Sequence, residues 1–221
     1  MEGWRKFRLD GLTTKIGSGA TPRGGKKAYK SEGIPLIRSL NVHDGEFRAK
    51  NLAFIDENQA DKLSNVVVQE GDVLLNITGA SIARCCVAPS HFLPARVNQH
   101  VSIIRPRREL IDSRFLASLF VAKEYKDRLL YEGEKAGATR QALTKAQLQR
   151  FKISIPPLPE QERIVAILDE VFVAIATATA NAEKNLAALT ELKQSILHKA
   201  FTGELTTDAT SADRSLSEAR V

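Results

Sequence analysis

The chain has 221 residues, 43% of them hydrophobic and 26% charged, which suits one sizeable domain plus an appendage. Its two cysteines, Cys85 and Cys86, are adjacent and lack Cys-x-x-Cys spacing, so a disulfide framework or structural zinc site is not indicated; the opening MEGWRKFRLDGL has no apolar leader core, and no run of about 18 apolar residues occurs, so a soluble cytoplasmic protein without membrane contact is expected. The formal net charge is +6, split into about +10 over residues 1–158 and about −4 over residues 159–221, as expected where a basic globular part meets a polyanion and an acidic extension does not; a merely solvated basic surface would look the same.

Residues 1–30 hold the densest basic cluster, ending in GSGATPRGGKKAYK. Gly19 and Gly24 have the glycine spacing of a phosphate loop, but Gly25 stands where its lysine belongs and no Ser or Thr follows Lys26 or Lys27, so nucleotide binding is rejected. Arg23, Lys26, Lys27 and Lys30 are instead candidates to grip DNA phosphates, with Tyr29 packing against sugar or base; the alternative is a solvated loop. Short aliphatic runs follow at Ile34–Ile37, Val66–Val68, Val73–Ile77 and Val101–Ile104, punctuated by glycines, and read as strands. Arg38 closes the first of these runs and joins the DNA-contact candidates. Asn76, Thr78, Ser81 and Arg84 surround a glycine turn, where they either reach groove edges or satisfy turn backbone. Asn98, Gln99 and His100 enter the next strand, and Asn and Gln suit bidentate contact with adenine.

One helix is predicted from about Ser113 to Leu130, with Asp112 as its cap and Phe115, Leu116, Leu119 and Phe120 as its buried stripe. A polar, basic loop carrying Arg140 and Gln141 comes next. Thr144 to Gln147 has capping-box spacing for a short helix, and Ile153 and Ile155 read as a closing strand before the prolines. The domain boundary is placed there, giving residues 1–157 as the globular domain, 158–205 as a long helix and 206–221 as a small, polar tail expected to be disordered.

The long helix is the strongest signal in the chain. Ile164, Leu168, Val171, Ile175, Ala178, Ala182, Asn185, Leu189, Leu192 and Ile196 recur at steps of three and four, a heptad seam held over roughly five heptads. Pro159 suits a helix start and Gly203 a left-handed cap, giving a rod of roughly 60 Å. Alanines crowd its middle, and Asn185 is a polar seam residue of the kind that fixes register. The seam either pairs with a second helix or packs on its own domain. The fold class expected is α+β: a mixed globular domain, then one helix pairing as an antiparallel coiled coil.

The four histidines show no ligand spacing, and the chain has no Gly-x-Ser-x-Gly elbow, no Asn-Pro-Pro-aromatic methylase motif and no arguable Cys–His pair, so neither a metal nor a catalytic site is supported. In order, GSGATP, GIPLIRSLNV, EGDVLLNITGASIAR, VNQHVSIIRP, GATRQALTKAQLQRFKISIPPLPEQERIVAILD and FTGEL make residues 5–205 resemble the DNA-specificity subunit of type I restriction–modification systems. That resemblance implies a domain reading one half of a two-part double-stranded DNA target, and a helix that docks methyltransferase subunits. S-adenosylmethionine would sit on those subunits, and ATP and Mg on a restriction subunit where one joins, with no cofactor in this chain. A typical subunit holds two such domains and two helices where this chain holds one of each. The resemblance leaves open a natural half-length subunit or half of a longer one; the former is expected, forming a homodimer that reads a symmetric, interrupted site. The alternative is a stand-alone dimeric DNA-binding regulator without enzyme partners.

Overall fold

The computed structural model describes residues 3–134 and 142–205, apart from the Lys26 side chain. Along the chain run β1 (Arg5–Arg8), β2 (Thr13–Ser18), β3 (Ile34–Ile37), β4 (Val42–His43), β5 (Glu46–Phe47), β6 (Ala53–Ile55), α1 (Glu57–Asp61), β7 (Val67–Val68), β8 (Val73–Asn76), β9 (Cys85–Val87), β10 (Ala95–Val97) and β11 (Val101–Pro106). Then come α2 (Ser113–Val121), α3 (Lys123–Glu134), α4 (Lys145–Arg150), β12 (Lys152–Ile155) and α5 (Leu158–Thr202).

Two four-stranded sheets are stacked in the first unit. One is antiparallel in the order β2-β11-β8-β9; the other, β6-β3-β10-β7, is mixed, with β3 and β10 parallel. Alternation along the strands feeds two cores. Val73, Leu75, Cys85 and Ile104 face a core shared with α2, α3 and α4, while Leu74, Cys86, Val101 and Ile103 face the second sheet. A sheet covered on both faces needs continuously apolar strands, which is why β8 reads Val-Leu-Leu. The same period of two puts the adjacent cysteines in different cores. Burial pushes both thiols up, Cys86 to about 12, so neither is a nucleophile or ready metal ligand.

The predicted helix from Ser113 to Leu130 is two helices, and this corrects the sequence reading. Ala122 takes extended backbone (φ −58°, ψ 133°) between α2 and α3. A straight helix would turn Tyr125 and Leu129 about half a turn away from Leu116 and Phe120; the break lets both sets reach one core. The expected caps are in place. Asp112 accepts from the Arg114 and Phe115 amides, and Thr144 with Gln147 closes a capping box.

The antiparallel ribbon of β1 and β12 ties the first strand to the segment before α5. Packing changes between Ala166 and Ile167, roughly two and a half turns beyond the boundary expected at Pro157. The reason is Gln161, fully buried: its Oε1 accepts from the Asp112 amide at 3.0 Å, and its Nε2 donates to Leu110 O and Pro156 O. Val165 and Ile164 join the helical core beside it. From Ile167 onward the described residues of α5 are exposed apart from Leu168, which is half-buried. Gly203 ends the helix at φ +83°.

Candidate nucleic-acid interface

The sequence candidates separate into those that build loops and those that those loops display. Asn76 ends β8 with no exposed surface. Its Nδ2 donates to Ser39 O at 2.9 Å and Ser81 Oγ at 3.1 Å and lies 3.4 Å from Val42 O, binding the 39–42 and 79–82 loops together. Asn98 is buried too. Its Oδ1 accepts from the His100 amide at 3.0 Å, and its backbone links Ile37 and Gly19. Both asparagines were candidates to reach base edges, and Asn76 alternatively to satisfy turn backbone; both are buried and brace the loops from inside, Asn76 through its Nδ2 alone, with its buried Oδ1 left without a partner. Ser81 is spent on Asn76, while Arg84 is half-buried beside the same turn.

Tyr29 also departs from expectation. It packs against the inter-sheet core, and the Arg38 guanidinium lies 5.1 Å from its ring centroid. Arg38 Nη2 donates to Asn51 O at 2.5 Å, so that arginine is held in place and Tyr29 has little ring to offer a sugar. Lys30 is paired with Asp56 at 3.3 Å. Arg23 and Lys27 are exposed. The expectations for the Lys26 side chain, Arg140 and Gln141 lie outside the described residues.

What the loops display is a string of polar groups. Gly19 lies against Val97, where an added Cβ would fall 1.8 Å from the carbonyl oxygen, so glycine is required for this approach. That contact brings Thr21 beside Gln99, and the Thr21 hydroxyl donates to Gln99 Oε1. Gln99 Nε2 is 3.1 Å from His100 Nε2, and His100 Nδ1 is 2.5 Å from Thr78 Oγ1. Gln99 is exposed, with His100 and Thr78 half-buried. Thr21 and Arg23 also line a cleft of about 460 Å³, together with Lys62, Gln59 and Leu63. Thr21 and Lys62 were missed from the sequence; only their placement beside Gln99 and Arg23 marks them. Among the described residues, no group of three His, Cys, Asp or Glu side chains is placed to hold a metal ion.

The second unit offers a surface of another kind. Val171, Ile175, Leu189, Leu192 and Ile196 are exposed, as are Ala178, Ala182 and Asn185 between them. Leu168 is half-buried. Ile164 leaves the expected dimer seam, because it packs into the first unit's core. Thr177, Thr179 and Thr190 each bond back to the carbonyl four residues earlier, which satisfies their hydroxyls within the helix. By length and composition this helix is apolar enough to cross a membrane, although no run of about 18 apolar residues occurs in it.

The model of the type I restriction modification DNA specificity domain family matches residues 1–186. The specificity subunit of type I restriction enzyme EcoKI from Escherichia coli K12 is 27% identical over 208 residues, 93% of this chain and 44% of its own length. That of EcoBI from Escherichia coli is 29% identical over 175 residues, 79% of this chain and 36% of its own. Among solved structures, a chain from work on assembly and conformational transition of the type I R-M system superposes with a TM-score of 0.69 at 27% identity, covering 91% of this chain and 46% of that one. The HsdS subunit from Thermoanaerobacter tengcongensis gives 0.60 at 28% identity over 91% and 45%. The class so defined is that of type I DNA specificity domains. The chain belongs to the type I restriction modification DNA specificity domain family, and it spans less than half the length of these relatives.

Proposed function

We propose that this chain is the sequence-reading component of a type I restriction–modification complex and acts as a homodimer. Its relatives are about twice as long, and the observation that carries the reading is the seam from Val171 to Ile196, exposed along the second unit. A second copy supplies the missing cover. Antiparallel pairing centred on Ala178–Ala182 makes an isologous two-fold interface, with small residues where the backbones come close. The spacing of three and four favours a helix partner over lipid, as do Glu183, Lys184, Glu191 and Lys193 on the same helix. The protein is then cytoplasmic.

Two identical readers related by a dyad recognise an inverted repeat. Methyltransferase subunits carry S-adenosylmethionine and methylate adenine at the site so addressed. A restriction subunit, where present, brings ATP and Mg. Light scattering at micromolar concentration should give twice the chain mass, and mapping of methylated adenines with and without the gene should return a symmetric, interrupted motif. A monomer, or an asymmetric motif with no second specificity chain in the cell, would overturn the homodimer.

A further inference from the structure

Gln99 is exposed, yet its amide is held at both ends. A primary amide has two N–H donors and an oxygen with two lone pairs. Thr21 occupies one lone pair and His100 Nε2 takes one N–H, with the ring proton on Nδ1 directed at Thr78 Oγ1. Reversing the string, with the amide turned and the ring proton on Nε2, changes the direction of every bond but not the count. In either sense the exposed amide keeps one donor and one acceptor. Its rotation is stopped by bonds to a loop pinned at Gly19 and to a ring whose backbone amide is pinned by Asn98.

The major-groove edge that answers one donor and one acceptor is adenine, through N7 and the N6 amino group. Guanine offers two acceptors there, and would set its O6 against the amide oxygen. Thymine and cytosine lack the pair. A long, flexible side chain normally loses conformational freedom on binding, and one already ordered loses less. Arg23 and Lys62, on the cleft that Thr21 also lines, are placed to meet phosphates beside the string.

We infer that Gln99 reads an adenine, and that Thr21, His100 and Thr78 are positioning residues that fix its amide; this rests on the DNA-reading function proposed above. The test uses the full chain on immobilised duplexes with randomised positions. Wild type should select an A·T pair that, with 7-deazaadenine in place of adenine, loses roughly ten- to a hundred-fold in affinity. Gln99→Ala should lose preference at that pair alone, keep the rest of the selected sequence, and ignore the deaza substitution. Thr21→Val should weaken preference at the same pair, and Thr21→Ser should restore it. Because Gln99 is exposed, its variants should keep the wild-type urea midpoint. If Gln99→Ala selects the unchanged sequence, or loses every position alike, the inference is overturned while the DNA-reading function stands. If wild type selects no sequence at all, both fall.

Discussion

Leu74 and Ile104 in the first unit have no exposed surface, whereas Ile175 and Leu189 in the second keep 55% and 63% of theirs. Burying one such side chain stabilises by roughly 1.5–3 kcal/mol. The first unit has gained that within one chain, through two cores. The second has left it ungained at Val171, Ile175, Leu189, Leu192 and Ile196. The stability of the first unit should therefore be independent of protein concentration, and that of the second should depend on it.

The largest effect that separates the two is expected at Asp72. It is fully buried and takes a two-pronged contact from Arg105, at 2.7 and 2.9 Å, plus the Gln69 amide at 2.7 Å. Arg105 also reaches Val67 O, so the pair joins β11 to the start of β7. Asp72→Ala leaves a partly buried guanidinium without its counter-charge, and should lower unfolding free energy by about 3–5 kcal/mol. Urea denaturation followed at Trp4, whose ring lies 6.1 Å from Phe115 in the helical core, reads the first unit directly. The dimer mass at micromolar concentration should be unchanged. A simultaneous loss of association would mean that the two units share one folding transition.

Leu189→Glu is the converse. A carboxylate in an apolar seam loses its hydration unless it finds a partner. Dimer dissociation should strengthen by roughly a hundred-fold, about 3 kcal/mol, with the first unit's urea midpoint unmoved. Sedimentation across a dilution series measures the first quantity. A dimer that survives the change would place the interface on another face of the helix, with Phe172, 57% exposed, as the next position to alter.

The contrast also explains what the sequence made legible. The seam could be read because its period is local to one helix, and the caps at Asp112 and Thr144 because a cap and its partners lie within three residues. The break at Ala122 was available too. Tyr125 and Leu129 are out of phase with Leu116 and Phe120, which a helix continued to Leu130 cannot reconcile. The site was harder, since composition marks polar, basic loops but not the direction of each side chain. Asn76 and Asn98 have the chemistry of base readers and the positions of braces. Asn76 reaches Ser39 and the Asn98 backbone reaches Gly19, both distant in sequence, while the Asn98 side chain accepts from the His100 amide two residues on. Gln99, one residue from Asn98, lies in the turn that follows β10 and is exposed. Gln161 is the clearest loss. A glutamine in a charged helix start gives no sign that it is fully buried, yet it clamps α5 to the 110–112 turn.

The smallest expected effect lies at α1, the short helix that carries Gln59 toward the cleft, and it should touch the first unit alone. Asp56 caps this helix, accepting from the Gln59 amide at 2.9 Å, while Gln59 Oε1 accepts from the Asp56 amide in return. The Gln59 amide bond, and then Lys30, hold the Asp56 carboxyl below its ordinary value of 3.8. A carboxyl whose folded pKa is depressed adds stability above its unfolded pKa, and that stability disappears as pH falls through the folded value. Asp56→Asn keeps a good capping group but removes the charge. The wild type should therefore have the higher urea midpoint at pH 6, by a small margin because the group is exposed, and the margin should close below about pH 3.8. A margin that does not shrink as pH falls below 3.8 would assign the difference to cap geometry. Seam variants, with the same α1, should show the same convergence.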